Sequence, residues 1–186
     1  MDFPTRKPTR LLNYDYSQNG CYFVTICTAQ KTPLFGRYLV GAIHESPAGN
    51  FPSHRCIALN ERGKIAKAIL VETEKRFSEI KIENAIIMPN HIHTLLTVDW
   101  EKGGSERALR ESPPQRSLLS QIIGYFKANT SKEIHQTQPN LTVWQRGFYD
   151  RIIRNQAEFV NAWEYIEYNA LKEYGEKIII NKNYLP

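Results

Sequence analysis

The sequence predicts an α+β domain: a ferredoxin-like antiparallel sheet with helices on one face, followed by a further helix towards the C-terminus. Three observations predict it. Segments 20–29, 80–87 and 91–98 are rich in β-branched and aromatic residues, whereas 60–77 and the stretch after Ser117 repeat apolar residues every three or four positions. A last β-patterned stretch, 142–153, completes the order strand, helix, strand, strand, helix, strand, and a third helical pattern starts at Asn155. The 186 residues, 41% hydrophobic and 23% charged, suffice for one core without staples, so a single domain over 1–186 is expected.

The elements follow in order. Residues 1–19 carry Arg, Lys and Pro without an apolar period and read as an extended basic arm. Gly20-Cys-Tyr-Phe-Val-Thr-Ile-Cys-Thr-Ala29 begins at a turn residue and is a strand. The Gly, Pro, Ser, Asn and His of 41–54 mark a loop. Over 60–77, Ile65, Ala66, Ile69, Leu70, Thr73 and Phe77 form the stripe of an amphipathic helix. A strand follows at 80–87, then a turn or bulge at Pro89-Asn90. Segment 91–98 is either its continuation or an antiparallel neighbour. The charged, Gly- and Pro-punctuated stretch 99–116 reads as a flexible insertion. Ser117 caps a second helix with Leu118, Leu119, Ile122, Ile123 and Phe126 on one stripe. Segment 142–153 is β-like but interrupted by Gly147, and Asn155 with Glu158 makes a capping-box-like start for a helix through about residue 171.

Composition narrows the function classes. Cys21, Cys27 and Cys56 are odd in number and lack C-x-x-C spacing, which argues against a disulfide framework or a structural zinc site; they read as small buried hydrophobes. No apolar run is long enough to cross a bilayer, and the polar, basic N-terminus does not resemble a secretory signal, so no membrane partner and a cytoplasmic location are expected. The net charge of +5 favours a polyanionic partner.

Two groups of residues carry chemistry. His91 and His93 flank one apolar residue in a β-patterned segment, so both imidazoles point to the same face of a strand and can hold one metal ion. A thiolate-free site with room for oxygen ligands suits Mn²⁺, Mg²⁺, Ni²⁺ or Zn²⁺, with positions open for substrate. On the third helix the periodicity predicts a core stripe of Phe159, Trp163, Ile166 and Ala170, with Tyr165 roughly 120° from Phe159 around the axis. Asn169 lies one turn beyond Tyr165 on the same flank, and Tyr168 faces solvent or a partner. A phenol whose pKa is ordinarily near 10 attacks at neutral pH only with help, and a divalent cation on a phosphate provides it. Together these elements describe attack by tyrosine on a phosphodiester.

Five ordered motifs carry a family resemblance. Met88-Pro-Asn-His-Ile-His93, Tyr14-Asp-Tyr-Ser with Gly20-Cys-Tyr-Phe-Val-Thr-Ile-Cys27, Leu59-Asn-Glu-Arg-Gly-Lys-Ile65, Ile123-Gly-Tyr-Phe-Lys127 and Trp144-Gln-Arg-Gly-Phe-Tyr-Asp-Arg-Ile-Ile-Arg-Asn155 resemble the REP-associated tyrosine transposases, a branch of the IS200-like, single-tyrosine HUH nucleases. The resemblance spans about residues 9–172. It implies a ferredoxin-like core, Mg²⁺ or Mn²⁺ on His91 and His93, and Tyr165 as the nucleophile on the trailing helix. It also implies cleavage and rejoining of single-stranded DNA at repeat hairpins through a 5′-phosphotyrosine intermediate. IS200-like enzymes carry Gln four residues after the nucleophile, where this chain has Asn169, one methylene shorter. Direct ligation by Asn169 therefore needs a closer helix, or a water between. Ala170 stands where the family pattern usually has Pro. A homodimer with a shared site, or a site within one chain, both fit the resemblance.

Phosphate-binding candidates are Arg6, Lys7 and Arg10 on the arm, Lys127 and Lys132 on the second helix, and Arg146, Arg151 and Arg154 before the third. Tyr14, Tyr16 and Trp144 are candidates for stacking unpaired bases, with a core role for Trp144 the alternative. Tyr149 reads as a strand aromatic packed on the sheet, and His44, His54 and His135 read as solvated. No G-x-S-x-G motif supports a serine nucleophile. Two other readings compete: a DNA-hairpin-binding protein without transposition activity, and a metal-dependent nuclease using activated water.

Overall fold

The computed structural model describes residues 18–39, 57–99, 102 and 117–174, with side chains described up to Tyr168. The arm residues 1–17, most of the 99–116 insertion and the 41–54 loop lie outside the described residues. The main elements are β1 (Gly20–Cys27), β2 (Gly36–Tyr38), β3 (Ile57–Leu59), α1 (Glu61–Arg76), β4 (Ile80–Ile87), β5 (His91–Val98), α2 (Leu118–His135), β6 (Tyr149–Ile153) and α3 (Gln156–Tyr174). Four strands form one sheet in the order β4-β5-β1-β6. Every pairing in it is antiparallel. This is the ferredoxin-like order, with each helical crossover skipping one strand.

The two faces of the sheet have different covers. Tyr22, Val24 and Ile26 of β1 and Ile92, Leu96 and Val98 of β5 join Ala66 and Ile69 of α1 and Leu119, Ile122 and Phe126 of α2 in one core. On the other face Leu95, Ile86 and Ile153 join Ala162 and Ile166 of α3. Strand β5 is therefore covered on both sides, and every residue of 91–98 except Thr97 is buried, His91, His93 and Thr94 included. Strand β4 keeps both faces supplied by a register shift between Ile82 and Asn84. A bulge switches which residues face the core, so Ile80 before it and Ile87 after it both reach the α1/α2 side.

Helix starts follow the sequence chemistry. Asn60 Oδ1 accepts the Gly63 N–H at 3.0 Å, and Ser117 Oγ accepts the Ser120 N–H at 3.3 Å. At α3, Asn155 Oδ1 accepts the Glu158 N–H at 2.9 Å, while the Glu158 carboxylate accepts from the N–H of Arg154 at 3.1 Å. The reciprocal bond of the capping box thus lands one residue early.

Of the two readings of 91–98 the antiparallel neighbour holds: 80–98 is a hairpin, closed by the Met88 N–H donating to His91 O at 2.9 Å. Two expectations change. Only Tyr149–Ile153 of the 142–153 stretch is a strand, preceded by a single bridge between Thr28 and Trp144 and by Gly147 at φ +76. That φ is costly for any residue with a Cβ, so the chain turns there instead of pairing. Trp163 is not a core residue: it is 37% exposed, and Ala162 at 8% takes its place beside Ile166. A small side chain lets the helix axis approach the sheet, and the indole is too bulky for that contact. The paired β2 and β3 went unread because three residues each carry no usable period.

Candidate active site

β5 projects His91, His93 and Leu95 to the α3 side of the sheet, as the alternation of a strand requires. Cross-strand register places Thr25 of β1 opposite His93. On the far side of Thr25, Tyr149 of β6 is its partner. The hairpin turn that carries Asn90 and His91 is held from outside: Phe35 N–H donates to Pro89 O and Thr28 N–H to Asn90 O, each at 3.0 Å.

Both histidines are buried and their rings converge, Nε2 to Nε2, at 3.0 Å. His91 Nδ1 is 2.7 Å from Asn90 Oδ1, and His93 Nδ1 is 2.9 Å from Thr25 Oγ1. Burial, and then the neighbouring His91, hold His93 down at about 3 from its ordinary 6.5, so its ring is neutral at neutral pH. A neutral imidazole is the form that ligates a metal. The Phe23 ring stacks on His93 at 5.0 Å. The Tyr165 ring stands edge-on to His93, with centroids 5.3 Å apart, and to Phe23 at 5.6 Å. Tyr165 is 36% exposed, so its ring is seated while the site stays open to solvent.

Tyr165 of α3 thus meets His93 of β5, although the two lie on separate elements. Asn169 follows one turn later on α3, and its side chain lies outside the described residues. Among the described residues no group of three or more His, Cys, Asp and Glu could hold a metal. The fit to a cation therefore rests on two buried imidazoles with converging nitrogens, plus oxygen ligands from Asn169, substrate or water.

The basic candidates separate. Lys132, Arg146, Arg151 and Arg154 are exposed, and Arg151 sits 3.9 Å from Glu158. Lys127 is engaged instead in structure: its ammonium donates to Gln145 O and Gly147 O, both at 2.7 Å, and burial lowers its pKa. Arg6, Lys7 and Arg10 lie outside the described residues, as do Tyr14, Tyr16, His44 and His54. Trp144 packs on Phe35 and Phe126 and donates its indole N–H to Lys127 O at 3.0 Å, which makes it part of the core rather than a stacking platform. His135 is not simply solvated, because its Nε2 donates to Leu141 O at 2.8 Å. Tyr149 is 49% exposed rather than packed on the sheet.

Sequence reasoning missed Thr25 and Asn90 as partners of the histidines. Asn90 had a signal, since it precedes His91 in the turn. Thr25 had none, because only strand register brings it to His93.

No family profile matches the chain. It is 28% identical over 173 residues to an uncharacterized protein of Haemophilus influenzae, covering 89% of this chain and 88% of that one. Among solved structures, a REP-associated tyrosine transposase bound to a REP hairpin is similar at a TM-score of 0.52 and 14% identity, covering 88% of this chain and 74% of that one. A more distant crystal structure, of a Deinococcus radiodurans protein, has a TM-score of 0.44 at 14% identity over 87% of this chain and 96% of its own. The first of these structures shares the fold of this chain, a four-stranded antiparallel sheet with helices.

Proposed function

We propose that the chain is a divalent-metal-dependent DNA strand transferase of the REP-associated tyrosine transposase type, acting on single-stranded DNA at repeat hairpins. One observation carries the reading: two buried imidazoles converge at 3.0 Å, and the ring of a partly exposed tyrosine from another element lies against one of them. The fold shared with a hairpin-bound transposase and the exposed Lys132, Arg146, Arg151 and Arg154 support DNA as the partner. Among the described residues no helix is long and apolar enough to cross a membrane.

In this reading His91 and His93, with Asn169 as the third candidate ligand, would hold Mg²⁺ or Mn²⁺, which would supply Lewis-acid polarisation of the scissile phosphate. Tyr165 loses its phenolic proton and its oxygen attacks phosphorus. The P–O3′ bond breaks, a 5′-phosphotyrosine ester forms, and the departing 3′ oxygen takes up a proton as a free hydroxyl. A second 3′-hydroxyl reverses the exchange and joins new ends. One phosphodiester replaces another at each step, so no ATP is consumed. Phe23 keeps the His93 and Tyr165 rings in place by contact with both.

Incubation with single-stranded hairpin DNA and Mn²⁺ or Mg²⁺ should give a covalent protein–DNA adduct on a denaturing gel. An adduct that persists in Tyr165→Phe would refute this assignment of the nucleophile. One observation favours a second reading: the described residues supply two histidines but no His, Cys, Asp or Glu as third ligand. A hairpin-binding protein without transfer activity would bind the same DNA and form no adduct.

A further inference from the structure

We infer that Thr25 is a positioning residue whose hydroxyl decides which nitrogen of His93 carries the proton, and that it reverses its hydrogen bond when a cation occupies the two histidines. The inference deepens the metal-site reading above and rests on it.

The argument is one of donors and acceptors. The amide oxygen of Asn90 can only accept, so His91 Nδ1 donates to it across 2.7 Å and His91 Nε2 is left with a lone pair. His93 Nε2 lies 3.0 Å from that lone pair. Two lone pairs at that distance repel, so without a cation the proton of His93 resides on Nε2 and is donated to His91. His93 Nδ1 is then an acceptor, and Thr25 Oγ1 donates to it across 2.9 Å. The polarity runs in one direction, from Thr25 through both rings to Asn90.

A cation held by His91 and His93 through their converging Nε2 atoms would need both lone pairs. The proton of His93 must then leave Nε2, by exchange with water, and be replaced on Nδ1, with no net change in protons. His93 is 5% exposed, and a buried N–H without an acceptor is costly. Thr25 Oγ1 supplies that acceptor by turning its own hydrogen away. A hydroxyl is both donor and acceptor, whereas an amide oxygen or an ammonium has one role. The Phe23 ring stacked on His93 offers neither. The threonine therefore fits both states, and the antiparallel pairing of Thr25 with His93 keeps it in reach of each.

The test uses the full chain as wild type, Thr25→Val and Thr25→Ser, with folding of each checked by circular dichroism. Mn²⁺ affinity is read from the free-ion electron paramagnetic resonance signal, and the His93 tautomer from ring ¹⁵N shifts with and without Mg²⁺. Wild type and Thr25→Ser should bind Mn²⁺ within about threefold of each other, and Thr25→Val about 10- to 100-fold more weakly, the usual effect of losing a ligand-orienting partner. The ¹⁵N spectrum of the wild type should move from Nε2–H to Nδ1–H on adding Mg²⁺. Equal affinity in Thr25→Val and Thr25→Ser, or an Nδ1–H tautomer in the metal-free wild type, overturns the inference. If Thr25→Val does not fold, the wild-type tautomer shift decides it. A wild type that binds no Mn²⁺ overturns the metal reading and the reversal with it, while the metal-free spectrum separately tests the resting role of Thr25.

Discussion

The ring of Tyr165 stands edge-on to the ring of His93, with centroids 5.3 Å apart and planes at 73°. The two residues come from a helix and a strand, and nothing local joins them. The contact exists because α3 crosses the face of the sheet opposite α1 and α2, the face to which β5 turns its histidines. Phe23 touches both rings, so three aromatic side chains form one packed unit.

This separates the ring of Tyr165 from its hydroxyl. Tyr165→Phe keeps both ring contacts, so its stability should lie within about 1 kcal/mol of wild type by urea denaturation, while adduct formation is lost. Strand cleavage that survives in this variant but disappears when His91 and His93 are both replaced would instead indicate activated water as the nucleophile.

The approach of α3 depends on Ala162. Replacement by Leu overpacks the helix against the sheet and should cost about 1–3 kcal/mol, with loss of adduct formation as Tyr165 is displaced. Trp163→Ala, at a position 37% exposed, should leave the adduct yield within about twofold. Equal effects of the two would show that the helix is not held by this contact.

The buried His93 makes stability depend on pH in the metal-free protein. Its pKa is about 3 in the folded state against 6.5 ordinarily, so between these values the unfolded chain holds the additional proton. The stabilisation is complete above pH about 6.5 and drains away as pH falls towards 3. At pH 5 the loss is about 2 kcal/mol relative to neutral pH. Urea midpoints in the presence of a chelator check this, and His93→Gln should flatten the profile.

Gly63 couples α1 to the histidine turn. A Cβ there would fall 2.1 Å from Phe35 O, and the N–H of the same Phe35 donates to Pro89 O beside Asn90. Gly63→Ala should therefore destabilise by about 2–4 kcal/mol and also weaken Mn²⁺ binding, because the turn that carries Asn90 and His91 must shift. Denaturation and Mn²⁺ titration read the two effects separately.

The basic residues should divide by role. Lys127→Met removes two charge-assisted bonds to carbonyls and should cost about 1.5–3 kcal/mol of stability. Arg146→Gln and Lys132→Gln should leave stability within about 0.5 kcal/mol while weakening hairpin binding and lowering the salt slope by about 0.7 per lost single-strand contact. Fluorescence anisotropy over a salt series measures this. An unchanged slope would remove that residue from the DNA surface.

Much of the fold was legible because its signals are local. The aromatic and β-branched run of β1, the stripe of α1 and the caps at Ser117 and Asn155 each need only a few neighbouring residues to be read. The errors came where a partner overrides the local pattern. Trp163 fits the helical stripe as well as Ala162 does, and only close contact with a sheet discriminates against the larger side chain. His135 looked solvated until Leu141 O folded back to accept from it.

By itself the sequence determined the order of the four main-sheet strands and the three helices, the common face of His91 and His93, and the place of Tyr165 on the flank of a helix. These follow from the periods of strand and helix, which any reader of the chain can count. Tertiary structure alone decided that α3 covers the histidine face, that it turns Ala162 inward, and that Thr25 and Asn90 hold the two imidazoles. Those relationships depend on strand register and on a crossover between distant segments, which no period within a segment encodes.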